Sequence, residues 1–168
     1  MARLHEKILL PSKFLPFIRT IEEIAIAIGD PGALVYWSSH HAARLLPKGP
    51  RFRDLMRDAA VVSIFSEDDE NVIDEFAFFL VGPSGSFLVS GLQFTDESGT
   101  SFVPAESFIV RPSANPYFVK AQLAELFPRF ESLSPPEAER LKLCLDRFEL
   151  GPMPGEALVE ISWAWNNL

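Results

Sequence analysis

Trp37-Ser38-Ser39-His40-His41, with Arg44 shortly after, gathers an aromatic ring, two hydroxyls, two imidazoles and a guanidinium into one short stretch. Groups of this kind converging on a crevice hold a small polar ligand, and Arg44 would neutralise an anionic one. A second polar cluster, Ser66-Glu67-Asp68, follows the apolar run Val61-Val62-Ser63-Ile64-Phe65. The bland alternative is an exposed loop in which Ser38 or Ser39 caps a helix and the two histidines are incidental. Metal binding is not expected. Neighbouring side chains on a regular element point in different directions, so His40 and His41 rarely reach one ion, and His5 is far away in sequence. A zinc site needs three or four ligands, and neither a Cys pair nor an HExxH motif occurs. The acidic stretch of residues 67–75 lacks the spacing and mid-loop glycine of a calcium loop and reads as a solvated acidic segment.

Enzyme chemistry finds little footing. The chain has no GxSxG elbow, and Pro83-Ser84-Gly85-Ser86-Phe87 is a turn without the residues of a phosphate loop. Cys144, on the apolar face of a predicted helix, reads as a packed thiol. No catalytic residues are assigned, and no cofactor is identified. Trp163 and Trp165 near the C-terminus are the candidate partner-binding residues, since exposed aromatics anchor interfaces. The alternative is that the tail folds back and both rings cap the core.

The polar clusters need elements to hold them. Ala33-Leu34-Val35-Tyr36-Trp37 reads as a buried strand, Arg51 to Asp58 as a short helix with Phe52, Leu55 and Met56 inward, and residues 60–65 as a second buried strand. If the two strands pair in parallel, the polar stretches that follow them emerge at one edge, where open sheets bind ligands. Before them, apolar spacing predicts a helix over Lys13 to Ile28, with Ser12 as N-cap, Pro16 in the first turn and Gly29 as the stop. After them, Phe76 to Val81 is apolar on both faces and reads as a central strand. Phe87 to Phe94 returns from the turn, and Gly91 within it marks a bulge or close packing. Phe102 to Val110 is a third strand, which Pro104 places at an edge or a bulge. A helix is expected over Asn115 to Phe127 with Phe118, Val119 and Leu123 inward. A second opens at a capping box, Ser134-Pro135-Pro136-Glu137. Residues 156–168 fit either a helix or a strand, and their length favours a helix.

At 168 residues the chain is long enough for one domain with a real core. The net charge of −8, with no cluster of Lys or Arg, disfavours nucleic acid and anionic lipid as partners. A single cysteine excludes an internal disulfide and fits a reducing compartment. Charges and prolines interrupt the N-terminal apolar stretches, so neither a signal peptide nor a membrane span is expected, and the location is read as cytoplasmic.

From about Phe14 to Leu126 the chain resembles the DICT sensory domain, a family found with diguanylate cyclases and two-component proteins. The features that carry the resemblance are a leading helix with Glu22-Glu23, a strand ending in Val35-Tyr36-Trp37, and the Arg-containing helix Phe52-Arg53-Asp54-Leu55. They continue with the strand Ala60-Val61-Val62-Ser63-Ile64-Phe65, the strand start Glu75-Phe76, the strand Phe87-Leu88-Val89, and a helix near Tyr117-Phe118-Val119. The resemblance implies a signalling input module, for which light response is often proposed. It carries no ligand-contacting residues across. Residues 1–130 are then the DICT-like part and residues 131–168 a C-terminal helical extension packed on the same domain, with no output domain recognised. The expectation is one mixed α/β domain with a central mixed sheet of about five strands and helices packed on it. Its role would be non-catalytic. It would sense a small ligand at Trp37, Ser38, Ser39, His40, His41, Arg44, Glu67 and Asp68, or act through a signalling partner or a homodimer. A ligand-free interaction or dimerisation module and an enzyme of unrecognised type are the alternatives.

Overall fold

The two apolar runs do pair in parallel, with Ala33 opposite Val61 and Ser38 opposite Ser66. The computed structural model describes residues 4–39, 49–67, 74–94 and 106–168. In chain order the elements are β1 (Lys7–Leu9), α1 (Pro11–Ile28), β2 (Ala33–Ser38), α2 (Phe52–Asp58), β3 (Val61–Ser66) and β4 (Glu75–Gly82). They continue with β5 (Gly85–Gln93), β6 (Phe108–Ser113), α3 (Pro116–Leu133), α4 (Pro135–Leu145) and α5 (Gly155–Asn166). One open mixed sheet of six strands runs in the order β1-β6-β5-β4-β2-β3. Its pairs other than β2 with β3 are antiparallel.

Helices cover both faces, which explains why β2 and β4 are apolar at nearly every position. On one face Leu34, Tyr36, Phe78, Leu80, Phe87 and Val89 pack against Phe17, Ile18 and Ile21 of α1 and Ile161 and Trp165 of α5. On the other, Val35, Trp37, Phe65, Phe79 and Leu88 meet Val119, Leu123 and Phe130 of α3 and Ala138, Leu141 and Cys144 of α4. Phe65 and Phe130 stack with ring centroids 4.3 Å apart. α3 therefore runs through the expected boundary at residue 130, and α4 and α5 contribute to the two cores.

Several local expectations are corrected. α1 starts at Pro11 with Leu10 as its cap, so Pro16 lies inside the helix rather than in its first turn. Ser134 caps α4 without a side-chain bond, and Glu137 instead accepts a hydrogen bond from Ser63 Oγ at 3.1 Å, so no capping box forms. Met56 and Phe118 are exposed rather than inward. β6 lies between β1 and β5 rather than at an edge, because the short strand β1 covers its flank; Pro104, on which the edge-or-bulge expectation rests, lies outside the described residues. The last segment is the helix α5. Gly91 is a site of close packing. It sits opposite Phe76, whose ring would lie 2.2 Å from a Cβ at this position.

Candidate functional site

The end of β2 and the end of β3 meet at one rim. The N–H of Glu67 donates to Ser38 O at 3.0 Å. Ser39 is tied to the start of β4 in both directions: its N–H donates to Glu75 O, and its Oγ accepts from the Glu75 N–H, each at 2.9 Å. Ser38 and Ser39 are buried, and the Ser39 hydroxyl spends its acceptor on the backbone.

Across the rim lies Arg129 of α3. Its Nε and Nη2 donate to the two carboxylate oxygens of Glu67 at 3.0 and 2.5 Å, and its Nη1 donates to Glu75 at 3.2 Å. The paired carboxylates hold the guanidinium protonated, above the ordinary arginine range, with the Glu67 hydrogen bond the largest cause. It is a fixed charge rather than a proton carrier. The same guanidinium lies over the indole of Trp37, 4.8 Å from the ring centroid. Thus one side chain joins α3, β3, β4 and β2. A bidentate, aromatic-backed arginine of this kind is a geometry that lysine would not reproduce.

Beneath the clamp, between the sheet and α3, is a cavity of about 330 Å³. Trp37, Ala77, Phe79, Leu88 and Leu126 give it an apolar lining, and Glu75, Ser90, Arg111, Gln122, Glu125 and Arg129 add polar groups. Trp37 is 2% exposed, and its indole N–H is buried without a hydrogen-bond acceptor among the described residues. The indole of Trp165 is the contrast. It is 1% exposed, donates to His5 O at 2.8 Å and lies under the Lys7 ammonium.

Of the residues expected at the site, the structure brings together Trp37, Ser38, Ser39 and Glu67. His40, His41, Arg44 and Asp68 lie outside the described residues. Trp163 is 69% exposed, as a docking residue must be, whereas Trp165 is corrected to a core residue that also anchors the N-terminal segment. The sequence reading missed Arg129, Gln122 and Glu125. Arg129 lies beyond the helix end expected at Phe127, because α3 runs on to Leu133.

On the opposite face a second polar group is buried. Glu22, 1% exposed, accepts hydrogen bonds from Arg19 and from the Tyr36 hydroxyl. Burial first, then the Glu22 charge, pushes the Tyr36 phenol far above its usual range. A larger groove of about 510 Å³ lies between α3 and α4, with Phe127, Leu145 and Phe148 in its wall. Burial also raises the Cys144 thiol, which makes it a poor nucleophile. Among the described residues no cluster of three or more His, Cys, Asp or Glu is arranged to hold a metal ion, and no helix is long and apolar enough to cross a membrane. Comparisons of the chain with protein-family models, curated proteins and solved structures return no match.

Proposed function

We propose that the chain is a non-catalytic sensory or regulatory module of bacterial signalling that responds to a small ligand in the cavity beneath Arg129. One observation carries this reading: a cavity of about 330 Å³ between the sheet and α3 is lined by Trp37 and by Arg129, whose guanidinium is ion-paired to Glu67 and Glu75 at the rim. The clamp supplies a means of response. A ligand that moves α3 relative to the rim changes the pairing of Arg129 with Glu67 and Glu75, and such a change needs only unequal affinity for two arrangements. The resemblance to the DICT family points the same way.

Native mass spectrometry and an absorption spectrum of freshly purified protein test the reading. The expected result is a co-purified mass, and hydrogen exchange that slows at residues 37–39, 67 and 75 when that ligand is restored to stripped protein. Arg129→Gln should weaken that slowing. Protein that carries no ligand, and whose rim exchanges at the same rate across a broad small-molecule panel, would refute the reading.

A second reading, an interaction or dimerisation module, is favoured by other features. Val159 and Trp163 stand exposed one turn apart on α5, and β3 is an edge strand with Ile64 exposed. Sedimentation across a range of concentrations separates the two readings, because a strict monomer argues against self-association.

A further inference from the structure

Resting on the second of these readings, we infer that the partner is a second copy of this chain, joined along β3 about a two-fold axis that sets Ile64 against Ile64 and makes one sheet of two. Backbone direction, side-chain chemistry and charge each lead there.

The hydrogen bonds of β3 fix which of its groups face outward. The N–H groups of Val61 and Glu67 donate to Gly32 O and Ser38 O, and the register with β2 is unbroken from Val61 to Ser66. Backbone groups alternate along a strand. Val61, Ser63, Phe65 and Glu67 therefore serve β2, and Val62, Ile64 and Ser66 face away from the sheet. Arg140 agrees with this direction, since it donates to Val62 O at 3.3 Å. Among the described residues nothing bonds to the outward N–H and C=O of Ile64 or Ser66.

An open edge is usually blunted by a lysine, a proline, a bulge or very short length. β3 reads Val-Val-Ser-Ile-Phe-Ser, pairs without a bulge and leaves Ile64 exposed. The other edge differs. β1 has three residues, and its Lys7 is held to Trp165 O.

The outward groups are self-complementary. Antiparallel pairing centred on Ile64 lets the two Ile64 residues exchange both N–H···O bonds and sets Val62 of each copy against Ser66 of the other. Val62 O keeps Arg140 on one lone pair and offers the second. The axis runs perpendicular to the sheet, so each face stays on its own side, and the two Ile64 side chains meet on the face that carries α1. On the opposite face Glu67, held by Arg129 of α3, ends β3, while exposed Arg140 of α4 stands beside the start of the strand. The two-fold brings Arg140 of each copy toward the Glu67 end of the other copy's β3, so opposite charges approach across the seam. This local match opposes the repulsion between chains that each carry a net charge of −8. A seam one short strand wide falls below the standard interface of about 1,600 Å², so the dimer is reversible.

Sedimentation velocity of the full-length protein from about 1 μM to about 1 mM should show the mass rise from one copy to two. Ile64→Lys sets like charges on the axis and should stay monomeric throughout, with unchanged near-ultraviolet dichroism as proof of folding. Trp163→Ala, on α5, should associate as the wild type does. Cysteines read the register. Cα atoms of a bonded antiparallel pair stand about 5.5 Å apart, within disulfide reach. Ile64→Cys with oxidised glutathione should therefore form a covalent dimer, and Ser66→Cys, which faces Val62 of the other copy, should not; Cys144 is buried and takes no part. A strict monomer at every concentration overturns the inference and removes self-association from the second reading. A dimer that survives Ile64→Lys, or that Trp163→Ala abolishes, overturns the β3 seam and leaves that reading standing. Crosslinking of Ser66→Cys ahead of Ile64→Cys overturns the register.

Discussion

Tyr36 and Trp37 are sequence neighbours on β2 that face opposite cores, and their polar atoms meet opposite fates. The Tyr36 hydroxyl is satisfied by Glu22, while the Trp37 N–H has no acceptor among the described residues. A phenol held neutral in the fold by burial and by a facing carboxylate has a defined pH signature. Its folded pKa lies above its unfolded value, so its stabilising contribution is complete below about pH 10 and is lost as pH rises beyond that. Wild-type protein should therefore lose about 1.4 kcal/mol per pH unit from this group above pH 10. Tyr36→Phe should remove that part of the alkaline decline. At neutral pH it should cost about 1.5–3 kcal/mol, because it takes a hydrogen bond from the buried carboxylate of Glu22 and leaves that group on Arg19. Urea titrations of both proteins between neutral pH and pH 11 measure the two effects. Parallel stability curves would show that Tyr36 is not the titrating group.

At the scale of elements, apolar runs and turn residues placed β2, β3, β4 and β5 along the chain, and β2 and β4, buried on both faces, announce themselves by continuous hydrophobicity; β3, expected to be buried, is instead an edge strand with Ile64 exposed. The features that decided the site were less visible. The helix expected to end at Phe127 runs on through Pro128 to Leu133, since Phe130 stacks on Phe65 and Arg129 is clamped to Glu67 and Glu75. Tertiary contacts there outweigh the lost backbone hydrogen bond. β1 has three residues, too few to show a period, and its presence moved β6 off the sheet edge. Trp163 and Trp165 read alike in sequence, but their helical spacing turns one to solvent and the other to Phe17. Gly91 was legible as a place of close approach, and the structure gives the reason: Phe76 lies across it while stacking on Phe14 with centroids 4.7 Å apart. Gly91→Ala should therefore cost about 1–3 kcal/mol through overpacking. Adding Phe76→Leu should cost less on that background than in the wild type, since the smaller side chain makes room for the methyl. Chemical denaturation of the four proteins closes this cycle, and strict additivity would rule out the contact as the cause.

Across the whole molecule, the sheet is a layer that needs cover on both sides, and the C-terminal helices supply part of each cover. α4 gives Ala138, Leu141 and Cys144 to one core; the segment through α5 gives Met153, Ile161 and Trp165 to the other. The family resemblance ends before these residues, so it leaves open whether they belong to the folding unit. Energetics decides. Burying a large apolar side chain is worth about 1.5–3 kcal/mol, and a whole domain is stable by about 5–15 kcal/mol. Removing Leu141, Met153, Ile161 and Trp165 together therefore takes away a stabilisation of the same order as the total. It also frees Lys7, which donates to Trp165 O at 2.6 Å, and with it the hold on β1. A chain ended after residue 130 should lose its near-ultraviolet dichroism, bind a hydrophobic dye and melt without a sharp transition. Adding back residues 131–168 as a separate peptide should restore part of the signal, because the missing surfaces are complementary. A shortened chain that melts cooperatively near the wild-type temperature would make the two helices an appendage, and the core shared between them and the sheet would then contribute little to holding the fold.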